Sequence, residues 1–115
     1  MFTTHTLIDQ LSTNPQSVSF QDVMALIDDE YSFTPTAFKN GSQQNQAGEN
    51  NGSCKILSFA QLNNLPQELT LHLFGDFYRL DVLNNPEGND HQNIRQFILN
   101  GWEGVSFASS ALVKK

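Results

Sequence analysis

One polar run constrains this chain more than any other feature: Lys39-Asn40-Gly41-Ser42-Gln43-Gln44-Asn45-Gln46-Ala47-Gly48-Glu49-Asn50-Asn51-Gly52-Ser53-Cys54-Lys55. It has almost nothing to bury, and it ends at the only cysteine. Asn40-Gly41 and Asn51-Gly52 are turn dipeptides, because Gly and Asn both accept left-handed backbone angles. The reading is a long polar loop over 39–53. Loops of that length inside a compact domain are uncommon, and are usually functional or disordered.

The segments around it carry helical spacing. Thr3 or Thr4 caps a first helix with Leu7, Ile8 and Leu11 on its apolar side, and Asn14-Pro15 ends it. Ser19 caps a second helix, with Asp22 three residues on as a variant capping box. Phe20, Val23, Met24, Ile27 and Tyr31 form its stripe. Asp28, Asp29 and Glu30 lie at its negative end, where each acid costs roughly 0.3–1 kcal/mol without a partner. Lys39, Lys55, Arg79 and Arg95 are the candidate partners. Residues 31–38 read as aromatic and turn-like.

After the polar run, Ser53 is expected to cap a helix through Leu62. Pro66 opens the next one, which runs toward Leu83 with a bend at Gly75; alternation of Leu69, Leu71 and Leu73 keeps a short strand open. Asp90 caps the last helix, with Ile94, Phe97 and Ile98 as its stripe. Gly101 stops it, Trp102 packs back over its final turn, and Val105–Phe107 is a short extended piece. The expected fold is therefore all-α: one small domain over 1–115 with about five helices and one long Asn/Gly-rich loop.

Composition bounds the function. A chain of 115 residues suits a single domain, and nine Phe supply core volume to a sequence that is only 38% hydrophobic. The net charge of −6 leaves no basic footprint for nucleic acid. One cysteine excludes an internal disulfide and a Cys-based zinc cluster. No apolar run approaches a membrane span, and no cleavable secretory signal is visible. These features suit a soluble protein made in a reducing cytoplasm, and any export must use a route that needs no such signal.

Cys54 is the sharpest chemical candidate. With Ser53 as the cap it would be the first helical residue, where backbone N–H groups, the helix dipole and Lys55 favour a thiolate. His91 is its candidate base, which would make a Cys–His nucleophilic pair acting on an acyl or amide group. The bland alternative is a small, inert core residue. Glu68, His72 and Asp76 share a helical face that suits a metal or a set of solvated ion pairs, and no metal or other cofactor is assigned. Arg79 and Arg95 suit either a carboxylate or phosphate clamp or internal pairing with Asp28, Asp29 or Asp81.

Four ordered motifs then carry a resemblance. They are Thr34-Pro35-Thr36-Ala37-Phe38-Lys39-Asn40-Gly41, Ala47 through Lys55, Phe74-Gly75 with Tyr78-Arg79-Leu80-Asp81-Val82-Leu83, and Asn85 through Arg95 continuing to Gly101-Trp102. From about residue 18 to the end the chain resembles the HopJ type III effector family. The resemblance implies a virulence protein injected into plant cells by a bacterial type III secretion system. It brings no catalytic residues with it.

The expected function is a binding protein for an unknown protein or small polar ligand. Its site would be drawn from Asn40, Asn50, Ser53, Lys55, Tyr78, Arg79, Asp81, His91 and Arg95. The Cys54–His91 enzyme and a housekeeping role inside the bacterium stay open beside it.

Overall fold

The computed structural model describes residues 2–115. The first helices form where spacing and caps place them. α1 (Thr4–Thr13) starts at Thr3, whose hydroxyl accepts from the Thr6 amide while Thr6 reaches back to the Thr3 amide. α2 (Phe20–Glu30) starts at Ser19, whose hydroxyl accepts from the Asp22 amide. Their apolar stripes are buried, with Leu7, Leu11, Val23 and Ile27 fully out of solvent.

The expected all-α fold is corrected from here on. The chain is about 54% helical and 13% strand, with two small antiparallel sheets. β1 (Tyr31–Phe33) leaves α2 directly and pairs with β5 (Leu112–Lys114), Tyr31 opposite Lys114. β2 (Phe38–Asn40) and β3 (Gln43–Asn45) form a hairpin, and β4 (Val105–Phe107) completes its sheet in the order β3-β2-β4. The polar run is thus no plain loop. Its first half is a hairpin closed by Gly41-Ser42, with a positive φ only at Gly41, the pattern of a type II′ turn. β2 is held from its far side by a strand about 65 residues away, with Phe38 stacked on Phe107 at 5.2 Å between ring centroids. Only tertiary pairing makes so polar a segment extended.

α3 (Asn51–Leu62) begins two residues before the expected cap, so Ser53 lies inside its first turn. α4 (Gln67–His72) follows Pro66 and is short. Gly75, with φ +63, breaks the expected long helix, and a π-helical segment, Phe77–Val82, follows. There the Leu83 amide reaches the Tyr78 carbonyl, five residues back, at 3.1 Å. The strand alternative at Leu69–Leu73 is not taken. α5 (Gln92–Asn100) begins at His91, not at Asp90. Its carbonyl end is tied by Gln67, whose Nε2 donates to Phe97 and Ile98. Trp102 does pack edge-on over Phe97, 5.0 Å between centroids.

The acidic end of α2 finds partners largely outside the expected set. Asp28 pairs with Lys55 at 2.9 Å, as one candidate allowed. Glu30 instead accepts from the Thr4 hydroxyl at 2.6 Å and from Lys114 at 3.1 Å. The C-terminal strand therefore closes the molecule both by backbone pairing and by charge.

Candidate functional site

α3 and α5 both start at one cleft of about 410 Å3. Phe20, Phe74 and Phe77 make its apolar wall, and Phe20 and Phe77 meet edge to face at 5.0 Å. Gln43 comes from β3, and Asn50, Gly52 and Ser53 from the start of α3. His91, Gln92, Asn93 and Ile94 bring the start of α5.

Both helix starts lack a side-chain cap for the same reason. Asn50 (φ 52, ψ 48) and His91 (φ 50, ψ 50) precede their helices in the left-handed region, uncommon for residues other than glycine. In that geometry their side chains bond elsewhere. Asn50 Nδ2 donates to Asn45 Oδ1 at 2.7 Å. His91 Nε2 lies 3.0 Å from Asp81 Oδ2; a carboxylate only accepts, so Nε2 carries the hydrogen and Nδ1 is left for the cleft side or solvent. As a result the backbone N–H groups of Gly52, Ser53, Gln92 and Asn93 have no acceptor among the described residues. The Phe77 ring, 5.2 Å from the His91 ring, further fixes the imidazole.

Behind this rim is a buried amide network. Asn93 Oδ1 accepts from Asn40 Nδ2 at 3.2 Å and Asn45 Nδ2 at 3.1 Å, and Asn93 Nδ2 donates to Asn45 Oδ1 at 3.0 Å. Asn40 Nδ2 also donates to the Asn93 carbonyl at 2.7 Å. The hairpin is thereby locked to the first turn of α5. Among buried side chains, Asn40 Oδ1 lacks a partner among the described residues.

The structure gathers part of the expected site. Asn50, Ser53 and His91 line the cleft, Asp81 reaches it through His91, and Asn40 lies behind Asn93. Lys55 is drawn to Asp28 and over the Phe33 ring, 5.1 Å from its centroid. Tyr78 packs edge-on against His72. The Arg79 guanidinium donates to the carbonyls of Pro15, Val18 and His72. Arg95 donates to the carbonyls of Asn85, Pro86 and Asp90 and to the Asp90 carboxylate. Both guanidiniums thus tie loops to the body, mainly through backbone oxygens rather than the acids expected to pair with them.

Cys54 is 1% exposed and does not line the cleft. Its Sγ lies 3.7 Å from the Thr36 carbonyl, and burial pushes the thiol pKa up, the opposite of an activated nucleophile. Since α3 starts at Asn51, Cys54 is also one turn in, with its amide bonded to the Asn50 carbonyl. Glu68, His72 and Asp76 no longer share one helix, and no group of three or more metal-ligating side chains occurs among the described residues.

Phe20, Phe74, Phe77 and Asn93 escaped selection from sequence. Phe20 reads as part of the α2 stripe, Phe74 as part of a family motif, and Phe77 carries no signal of its own. The fourth sat between the chosen His91 and Arg95, and that clustering was the one signal available for it.

The family described as HopJ type III effector protein matches residues 4–112. A crystal structure described as unknown function protein VPA0580 superposes with a TM-score of 0.95 at 55% identity, covering 96% of this chain and 92% of that one. No curated protein matches the chain.

Proposed function

The chain belongs to the HopJ type III effector protein family, and from that premise we propose that it is a binding protein that holds a small anionic ligand in the cleft between the starts of α3 and α5. The observation that carries this reading is the convergence of two uncapped helix starts on one aromatic-walled cleft. Helix N-termini favour negative charge through their free N–H groups and the helix dipole. Ser53 adds a side-chain hydroxyl donor beside them. The phenyl wall suits a ligand with a flat apolar part beside its anionic group. With a net charge of −6, the attraction must be local to these groups. Cys54, the candidate nucleophile, is buried and does not line the cleft, and binding accounts for the arrangement without it.

The effector description supports a second element of the reading: synthesis in the bacterial cytoplasm and delivery into a host cell through a type III system. A reporter fused to the C-terminus should leave cells with an intact type III apparatus and stay inside apparatus-deficient ones; equal retention in both removes delivery from the reading.

The ligand test is an amide NMR titration with phenyl phosphate and, separately, benzyl alcohol. Phenyl phosphate is expected to shift the amides of Gly52, Ser53, Gln92 and Asn93, and Ser53→Glu to weaken binding at least tenfold by adding like charge. No shift at these amides, or equal shifts with the neutral alcohol, would overturn the anion reading.

A further inference from the structure

A second cavity, of about 370 Å3, lies apart from the cleft, between the last turns of α3 and the connection from β4 to β5. Ser58, Gln61 and Leu62 line it from the helix, Phe107 from the end of β4, and Ser109 and Ser110 from the connection. Its volume suits a small-molecule site.

Ser58 is the member of this lining that the fold leaves unexplained. It is 5% exposed, and its Oγ has no hydrogen-bond partner among the described residues. Beside it, one turn back, is the Cys54 thiol, a weak acceptor whose own hydrogen is directed to the Thr36 carbonyl. A buried hydroxyl without a partner costs stability, and each such group in a folded protein calls for an explanation.

The surroundings of Ser58 define what could supply that partner. Gln61, Ser109 and Ser110 are exposed at the mouth, and each carries a group that both donates and accepts. Hydroxyls match such groups, because they too donate and accept. No charged side chain lines the cavity, so an ion would give up hydration without meeting its opposite charge. An anion is further disfavoured by the negative end of the α3 dipole and by the net charge of −6. Leu62, 53% exposed, and the half-buried Phe107 ring add apolar surface beside the polar groups. A ring with hydroxyls at its edge and C–H groups on its face meets both.

We propose that this cavity binds a neutral polyhydroxylated ring of monosaccharide size, with one ligand hydroxyl bonded to Ser58 Oγ and others to Gln61, Ser109 and Ser110. This site is independent of the anion cleft.

The experiment is an amide NMR titration of the full chain with millimolar glucose, galactose and myo-inositol in turn, and with glucuronate as the charged counterpart. It is repeated on Ser58→Ala, and the melting temperature of both unliganded proteins is measured. At least one neutral probe is expected to shift the amides of Ser58, Ser109 and Ser110 while those of Gly52, Ser53, Gln92 and Asn93 stay in place. Its affinity should fall about tenfold in Ser58→Ala. The unliganded variant should melt at or above the wild-type temperature, because it has lost an unpaired hydroxyl. No shift at Ser58, Ser109 and Ser110 with any neutral probe, or shifts at the cleft amides alone, would overturn the proposal. Glucuronate binding as tightly as the neutral probes, or equal affinity in the variant, would do the same. A lower melting temperature of unliganded Ser58→Ala would also overturn it, by showing that the hydroxyl is already satisfied by water or by the protein itself.

Discussion

At the scale of single residues, the structure separates reactivity from position. Cys54 occupies a sequence context that reads as activated, between a potential cap and a lysine. Packing reverses this: the thiol is enclosed, Lys55 points to Asp28, and burial raises the thiol pKa. Alkylation with iodoacetamide at pH 7 to 8 should therefore be slow in the native protein. It should accelerate to the rate of a free thiol only when denaturant unfolds the chain, and His91→Ala should leave the native rate unchanged. Rapid native labelling with a midpoint below about pH 7 would show instead that Cys54 is reactive. His91 was recognisable as a polar residue bordering an apolar stripe. Its backbone conformation was not, because a left-handed histidine is selected by the Asp81 contact and the Phe77 ring, which come from another segment.

At the scale of elements, helices with a local cap and an apolar stripe were legible, and those whose start depends on distant partners were not. α1 and α2 carry their start signals in a hydroxyl and a neighbouring amide. α3 and α5 start at residues whose side chains are bonded to other elements, so Ser53 and Asp90 looked like better caps than Asn50 and His91. Gly75 shows the same dependence more sharply. Its φ is +63, and a Cβ placed there would lie 2.7 Å from the Phe20 backbone nitrogen. Gly75→Ala should cost roughly 1–2 kcal/mol for the left-handed alanine alone, with the contact against α2 adding to it. Because Phe20 and Phe77 form one wall of the cleft, the same variant should also weaken phenyl phosphate binding. Chemical denaturation and the amide titration read the two effects separately; an unchanged denaturation midpoint would show that the backbone at Gly75 relaxes freely.

For the whole molecule, charge and closure meet at the chain's ends and around α5. The Thr4 hydroxyl, then Lys114, hold the Glu30 carboxyl below its ordinary range, and the Arg95 guanidinium does the same for Asp90. Groups with depressed carboxylate pKa values stabilise the fold above their unfolded values, and that stability is lost as pH falls through the folded ones. His72 adds an earlier step: burial lowers its pKa, so the unfolded chain takes up the proton first and stability begins to fall below about pH 6.5. The melting temperature should accordingly decline gently from pH 6.5 and more steeply below about pH 4. His72→Gln should flatten the first part and Glu30→Gln the second. A flat profile between pH 7 and 5 in both wild type and His72→Gln would remove the histidine contribution. The sequence by itself determined the helical stripes, the local caps of α1 and α2, the stop at Gly101 with Trp102 over it, and the family motifs, because each is written in neighbours a few residues apart. Only the tertiary structure decided that the polar run would become a hairpin and a helix start, that β5 would return to β1, and that two uncapped helix starts would share one cleft. Those outcomes depend on partners dozens of residues away, such as Phe107 for Phe38, Asn93 for Asn40 and Lys114 for Tyr31, and their free energy exists only once the chain has closed.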